Sequence, residues 1–392
     1  DDVGRAARTA LRSIEELRVA NGGSLAEPVA IDGGGTVQIE INGIQKHLLV
    51  EHGLDPALPD NRIIGAALGQ TQHGPTVMMS NDAALRIKAA HLGVGAAEHQ
   101  PARRRWAERR IGWSVIDTPR EVIDCLYAAG AVDIGAVPPS ATVHAAADTA
   151  ENEFAVLRSG SQSALTRRRG GDLVLLPHAV AEPWGLHPRS KEQRFALELL
   201  LDPDVAVVAL DGQAGTGKTI IAIAAALEQV VEQQRFEKVS VYRPLVPVGR
   251  ADVGFLPGGL DEKLDPWMSA IHDAIVALTD RGSSNDARRL IDELTARGQL
   301  SLESVTFLRG RSLHRQFVVI DEAQNLEPTT LRTILTRIGD GTKVVFTGDT
   351  SQIDAPYLGE SNNALAVLTN AFAGQPCFGH ITLTSVERSE VA

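Results

Sequence analysis

The chain has 392 residues, 43% hydrophobic and 22% charged, with 38 Lys and Arg against 49 Asp and Glu for a net charge of −11. That length predicts two to three domains of roughly 100–200 residues each, and an ordinary soluble composition with no apolar run near the roughly 20 residues of a membrane helix excludes a membrane span. Acidity argues against a nonspecific nucleic-acid coat, while Cys125 and Cys377, far apart and without metal-ligand spacing, exclude a disulfide framework and a zinc module and make a reducing cytoplasm the expected compartment.

Taken in order, residues 3–19 predict a helix, with Ala6, Ala10, Ile14 and Leu17 at helical spacing. It opens without a methionine, a preceding cap or a signal-peptide pattern, as a segment that follows earlier elements would. Gly-rich punctuation at 21–23 and 33–35 precedes an alternating strand, 37–41. A helix over 60–68, a strand over 76–80 and a helix over 81–91 follow, the last stopped by Gly93. These predict a small α/β domain over 1–98. Residues 99–185 differ: a Pro/Ala-rich stretch at 137–141 and short β-like runs at 154–157 and 172–176 predict a connector with a small β module. From about residue 186 an α/β alternation resumes and continues to 392.

Charge is not uniform. Residues 1–100 carry a net −4, residues 101–190 a net +1 and residues 191–392 a net −8. The middle segment gathers Arg103, Arg104, Arg105, Arg109 and Arg110 around Trp106, and then Arg167, Arg168 and Arg169. Such clusters are either a solvated face or subunit contact, or a surface for RNA phosphates with an aromatic for stacking.

The strongest motif is Gly212-Gln213-Ala214-Gly215-Thr216-Gly217-Lys218-Thr219, which fits G-x-x-x-x-G-K-[ST] in full. It lies between an apolar β-run at 205–210 and a helix-forming run at 220–227. Glycines let backbone N–H groups turn toward phosphate oxygens at a helix N-terminus. Lys218 is then placed for the β- and γ-phosphates and the Thr219 hydroxyl for Mg²⁺. Such a site needs a carboxylate from a neighbouring strand, and Phe317-Val318-Val319-Ile320-Asp321-Glu322 supplies one. Asp321 is the expected outer ligand of Mg²⁺ and Glu322 the expected general base; a buried strand ending in a solvated acidic turn is the alternative. A third apolar run, 343–346, ends in Thr347-Gly348-Asp349, with Gln352 beyond. Three strands ending in polar residues predict one binding edge at the carboxyl ends of a parallel sheet.

Asp321-Glu322-Ala323-Gln324 and Thr347-Gly348-Asp349-Thr350-Ser351-Gln352 resemble motifs II and III of superfamily 1 helicases. With Arg243-Pro244, Gly254-Phe255-Leu256-Pro257-Gly258, Pro266-Trp267, Arg309-Gly310-Arg311-Ser312 and Glu387-Arg388-Ser389, the segment 186–392 resembles the PhoH family of P-loop ATPases. The resemblance implies that Gln193 reads the adenine of ATP and that Gln352 senses the γ-phosphate. It also implies that Arg388 acts at the transferring phosphate across a subunit interface, with Arg309 and Arg311 as weaker candidates, in a homo-oligomeric ring such as a hexamer. A structural ion pair is the plainer role for each arginine.

The segments 60–67 and 80–90 resemble the later part of a PIN domain, a metal-dependent RNase fold that gathers about four acids around Mg²⁺ or Mn²⁺. Asp60 and Asp82 fit two of those acids; both also stand where a helix N-cap would. The first strand and the acidic helix of that fold would precede Asp1. Together the resemblances imply an α/β fold: a partial PIN-like domain at 1–98, a connector with a β module at 99–185 and a RecA-like P-loop domain with a parallel sheet at 186–392. They imply an ATP-dependent RNA helicase or translocase coupled to a PIN endoribonuclease. The competing readings are a protein-remodelling or regulatory ATPase whose PIN-like part is an interaction module, and a nucleotide-dependent switch with slow turnover.

Overall fold

The computed structural model describes residues 2–31, 34–39, 44–80, 82–97, 110–138, 146–244, 260–279, 284–308, 310–355, 358–359 and 362–385. Chain contacts divide it into two units, Asp1–Glu108 and Arg109–Ala392.

In the first unit the expected helices form as α1 (Asp2–Ala20), α3 (Pro59–Thr71) and α4 (Ala83–His91), with α2 (Lys46–Glu51) between the first two. The expected strand at 76–80 is β3 (Val77–Met79), which pairs in parallel with β4 (Gly95–Ala97). Gly93, at φ +78°, makes the left-handed turn between α4 and β4. Of the strand expected at 37–41, only the start is seen: β1 (Val29–Ala30) pairs antiparallel with β2 (Thr36–Val37), and residues 40–43 lie outside the described residues. Leu49, Ile64, Leu68, Met78, Leu85, Ala89 and Val94 make the core. Gly65 lets α2 approach α3, since a Cβ there would stand 2.9 Å from Leu49 Cδ1. Of the helically spaced residues of α1, Ala10 and Ile14 are exposed and Leu17 is half-buried.

The second unit is built on a fully parallel six-stranded sheet. Its strands are β10 (Val207–Gly212), β11 (Lys238–Arg243), β12 (Leu300–Ser304), β13 (Gln316–Ile320), β14 (Lys343–Gly348) and β15 (Phe378–Leu383), in the order β12-β11-β13-β14-β10-β15. Burial on both faces explains their continuous apolar runs. Val208, Leu210, Phe317 and Val319 pack with α6 (Lys191–Leu201), α7 (Lys218–Leu227), α8 (Leu260–Leu278) and α9 (Ser284–Ala296). The alternate residues Val207, Ala209, Val318 and Ile320 pack with α10 (Pro328–Leu335) and α11 (Ala364–Phe372). All six strands run the same way, so their carboxyl ends share one edge.

The β module proves larger than the two runs read from sequence. It is a five-stranded sheet, β5-β7-β8-β9-β6, made of β5 (Trp113–Asp117), β6 (Ala131–Asp133), β7 (Phe154–Ser159), β8 (Gln162–Arg169) and β9 (Asp172–Leu175). One face packs on α5 (Arg120–Ala129) through Ile123 and Leu126. The other joins the core of the parallel sheet: the rings of Phe154 and Phe195 stack with centroids 4.4 Å apart. Asn152 Nδ2 donates to the carbonyls of Pro376 and Phe378, at 2.8 and 2.9 Å, so the module is also tied to the lead into β15.

That docking explains the second arginine cluster. Arg167 is buried, with Nη1 2.8 Å from Asp202 Oδ2 and Nη2 donating to Asn152 Oδ1 at 2.7 Å. Arg169 pairs with the same Asp202 carboxylate, and Arg168 donates to the carbonyl of Thr149. Arg167 is therefore an internal tie and not part of a solvated or RNA-facing surface. Arg103, Arg104, Arg105 and Arg109 lie outside the described residues; Arg110 pairs with Glu153 at 3.0 Å.

Candidate active site

The phosphate-binding loop connects β10 to α7 at the shared carboxyl edge. Two glycines there are required by shape. Gly212 has φ +151° and a Cβ on it would stand 2.4 Å from the carbonyl oxygen of Leu383. Gly217 caps α7 at φ +91°, with a Cβ position 3.1 Å from Gln193 Nε2. A helix of small and apolar residues, buried over Ile221, Ala222 and Ile223, follows the loop, so its N-terminal end is aimed at the edge by core packing.

Thr219 and Asp321, 102 positions apart, meet at this edge: the Thr219 hydroxyl donates to Asp321 Oδ1 at 3.0 Å. Thr347, at the end of β14, donates to the same oxygen at 2.6 Å. The Asp321 amide donates to the Tyr242 carbonyl, fixing the turn beyond β13 against β11. Lys218 Nζ donates to the carbonyls of Gly212 and Gln213, at 2.6 and 2.8 Å. Burial pushes its ammonium below the usual lysine value, and Asp349, Glu322, Asp211 and Asp321 pull it back up. A hydroxyl and a buried carboxylate beside a lysine-bearing glycine loop form the donor set that suits Mg²⁺ carried by a nucleoside triphosphate.

Glu322 sits at φ +54°, a left-handed conformation uncommon for a residue with a side chain. Its carboxylate is held on both oxygens. Arg243, ending β11, brings Nη2 to 3.0 Å from Oε1, and Gln324 Nε2 donates to Oε2 at 2.6 Å. Gln324 also donates to the Gln352 carbonyl at 3.0 Å and accepts from the Asp349 amide at 3.1 Å, so it joins the turns after β13 and β14. Gly348 leaves room for this, since a Cβ there would stand 2.5 Å from Gln324 Oε1. Gln352 thus enters the network by its backbone, while its side chain is exposed. Asp349 is buried, with Oδ1 accepting from Ser351.

Gln193 stands in the first turn of α6, capped by Ser190 Oγ, and spans two backbones. Its Oε1 accepts from the Arg189 amide at 2.7 Å and its Nε2 donates to the Thr216 carbonyl of the phosphate loop at 3.1 Å. Arg388 and Arg309 lie outside the described residues; Arg311 is exposed and pairs with Glu303 at 2.7 Å.

Asp60 and Asp82 belong to the first unit. Asp60 is exposed in the first turn of α3, and Asp82 is the N-cap of α4, accepting from the Leu85 amide at 3.0 Å. Among the described residues no three His, Cys, Asp or Glu side chains gather as a metal-holding group. Asp60 and Asp82 are two acids of the first unit, each an oxygen donor of the kind Mg²⁺ or Mn²⁺ takes.

Sequence reasoning placed Arg243 and Gln324 in family motifs without assigning either a task, and it passed over Thr347 as a ligand of Asp321. A strand ending in Arg beside one ending in Asp-Glu is the signal that could have found the Arg243–Glu322 pair.

The parallel sheet, the glycine loop and the acid pair at its carboxyl edge define a P-loop nucleoside-triphosphatase fold. Residues 185–392 match the model of the family described as PhoH-like protein, and residues 1–100 match that of the PIN domain. The chain is 36% identical over 405 residues to a protein named PhoH2 from Bacillus subtilis (strain 168), covering 100% of this chain and 88% of that one. It is 37% identical over 393 residues to a protein of the same name from Mycolicibacterium smegmatis, covering 100% and 85%. Among solved structures, a Pif1 helicase from Candida albicans is similar over 53% of this chain and 42% of that one, at 17% identity and a TM-score of 0.28, too slight a likeness to argue from. The chain belongs to the PhoH-like family of P-loop ATPases and carries a PIN domain at its N-terminal side. No helix among the described residues is long and apolar enough to cross a membrane.

Proposed function

We propose that the chain hydrolyses ATP at the 212–219 loop and uses that cycle to translocate on and unwind RNA, which its PIN domain cleaves. The observation that carries the ATPase half is the convergence of Thr219, Thr347 and Asp321 with Glu322 one residue further on. In this reading Lys218 leaves the Gly212 and Gln213 carbonyls for the β- and γ-phosphates, and the loop amides of 213–219 cradle the phosphate oxygens. Thr219 and Asp321 would hold Mg²⁺, which would supply positive charge against that developing on the phosphates. Glu322, oriented by Arg243 and Gln324, accepts the proton of the attacking water. Gln324 ties Glu322 to the Asp349 and Gln352 turn, so that a γ-phosphate sensed at Gln352 is felt at Glu322. Gln193 faces the base while holding Thr216.

Arg388 is proposed as the arginine supplied to a neighbouring protomer's nucleotide in a homo-oligomeric ring. The cleavage half rests on the PIN match of residues 1–100, with Asp60 and Asp82 contributing two acids to a Mg²⁺ or Mn²⁺ site, and the compartment is proposed to be the cytoplasm.

A strand-separation assay on a tailed RNA duplex tests the motor half. ATP-dependent separation lost in Lys218→Ala is the expected result. ATP turnover with no separation, raised instead by a protein client, would replace this reading with a protein-remodelling ATPase.

A further inference from the structure

The β module meets α6 beside the nucleotide site. The Lys191 ammonium lies over the Trp113 ring of β5, 4.3 Å from the ring centroid, and also pairs with Glu192 at 3.1 Å. Glu192 is buried and its Oε1 accepts from the Thr384 hydroxyl at 3.4 Å. The next residue is Gln193, whose amide grips the phosphate loop at Thr216. Trp113, Lys191, Glu192, Gln193 and Thr216 thus form one line of contacts from the module to the loop.

The far end of the same helix is anchored as firmly. Lys343, fully buried at the start of β14, donates to the carbonyls of Leu199, Leu200 and Asp202 at 2.7–2.9 Å. Asp202 in turn takes Arg167 and Arg169 from β8. Between the ends, Phe195 lies against Phe154, with Trp113 6.5 Å away. With the last turn and the middle of the helix held by these contacts, Lys191 on Trp113 joins the module to the first turn as well.

We propose that Lys191 and Trp113 are positioning residues of the ATP site: the indole of the β module holds the first turn of α6, and through Gln193 sets the backbone of the phosphate loop. The module is then part of the nucleotide pocket's support and not only a connector. Neither side chain needs to touch nucleotide. The inference rests on the proposed binding of ATP at the 212–219 loop.

The physical consequence is selective. Gln193 grips the loop whether or not chemistry occurs, so loosening it weakens binding of ATP more than turnover of bound ATP. A cation on an indole contributes an amount that corresponds to about 3- to 10-fold in affinity.

The test is Lys191→Met, which keeps the aliphatic stem and removes the charge, in the full chain. Titration with a fluorescent ATP analogue and steady-state hydrolysis should show Kd and KM raised about 3- to 10-fold, with kcat changed less than twofold. Lys191→Arg should restore both, because a guanidinium also sits on an indole face. Gln193→Ala should raise Kd as well, and the double variant should be no worse than Gln193→Ala alone, since both act along one line. Additive effects, or a fall in kcat at constant KM, would overturn the proposal. Wild-type chain that does not bind ATP would overturn the binding assignment itself, whereas wild-type binding with Lys191→Met unchanged would overturn the positioning role alone. Trp113→Phe with the same direction of change as Lys191→Met supports it; Trp113→Phe that lowers melting temperature but leaves Kd unchanged counts against it.

Discussion

Arg243 and Glu322 are 79 positions apart in the chain and 3.0 Å apart in space, the guanidinium of one strand end closing on the carboxylate of its neighbour. Arg243 Nε lies 3.9 Å from Asp321 Oδ2 as well, so one cation faces both acids of the pair. Because β11 and β13 are adjacent and parallel, with Tyr242 in register with Ile320, the residues that follow these partners emerge side by side.

Arg243→Ala should therefore act on the chemical step. A charge-assisted hydrogen bond of this type is worth roughly 1.5–3 kcal/mol, so kcat for ATP should fall about tenfold or more while KM changes less than twofold. Steady-state kinetics with the nucleotide titrated through KM measures the split. A rise in KM alone would place Arg243 in binding instead.

Glu322→Gln keeps the size of the side chain and its contact to Gln324 while removing the proton acceptor. Turnover should fall by about 10²–10⁴-fold, with nucleotide affinity kept. A filter-retained ATP complex that persists in this variant and is absent in Lys218→Ala is the expected pattern. Near-normal turnover would remove Glu322 from the role of base.

The motif residues of this site were legible because each has a local signature: a full glycine loop after an apolar run, and an acid pair after another. The parallel sheet followed from those continuous apolar strands. Arg243 and Thr347 were not legible as partners of the acids, since their roles depend on strand order, which no spacing within either segment encodes. Arg167 misled for a related reason. Three arginines in a row look solvated, but the first lies on the face of β8 that packs toward Phe154 and Asp202, with its guanidinium carbon 5.7 Å from the Phe154 ring centroid.

Lys343 supplies a prediction in pH. It opens an otherwise apolar strand, and burial pushes its ammonium down to about 7 even though Asp202 favours the charged form. In the unfolded chain it titrates near ~10.4. Between those values the unfolded chain holds a proton that the folded one has released, so this group makes unfolding harder as pH rises from about 7 toward 10, by at most ~1.4 kcal/mol per pH unit. Denaturant unfolding of the wild type and Lys343→Met at several pH values should diverge over this window, the wild type gaining. Curves that stay parallel would show that Lys343 keeps an ordinary lysine value. Near pH 7 the variant should also be weaker by about 2–4 kcal/mol, because carbonyls at the end of α6 lose their donor, and the gap should widen toward pH 10.

Asp202 works in the opposite range. Burial disfavours its carboxylate, but the Asp204 amide with Arg167 and Arg169 outweighs burial and holds its pKa below the usual value. Its contribution is complete above the ordinary aspartate range of about 4 and is lost as pH falls through the lowered folded value. Arg167→Met leaves Asp202 buried with one fewer cation. It should cost about 3 kcal/mol and move the acid unfolding midpoint to higher pH, as a circular-dichroism titration would show.

Asp60→Asn and Asp82→Asn separate the two halves of the molecule. Asn caps a helix about as well as Asp, so α4 should keep its Leu85 contact and the melting temperature should move little. RNA cleavage should be lost and ATP hydrolysis retained. Cleavage that survives both substitutions would reject the two aspartates as nuclease ligands.

The central claim is that the 212–219 loop hydrolyses ATP in the service of RNA, and one measurement addresses it directly: ATP turnover by the assembled chain with RNA, with DNA and with neither, beside Lys218→Ala. The account predicts turnover raised by RNA and abolished in Lys218→Ala. Turnover indifferent to RNA, or undiminished in Lys218→Ala, would contradict it.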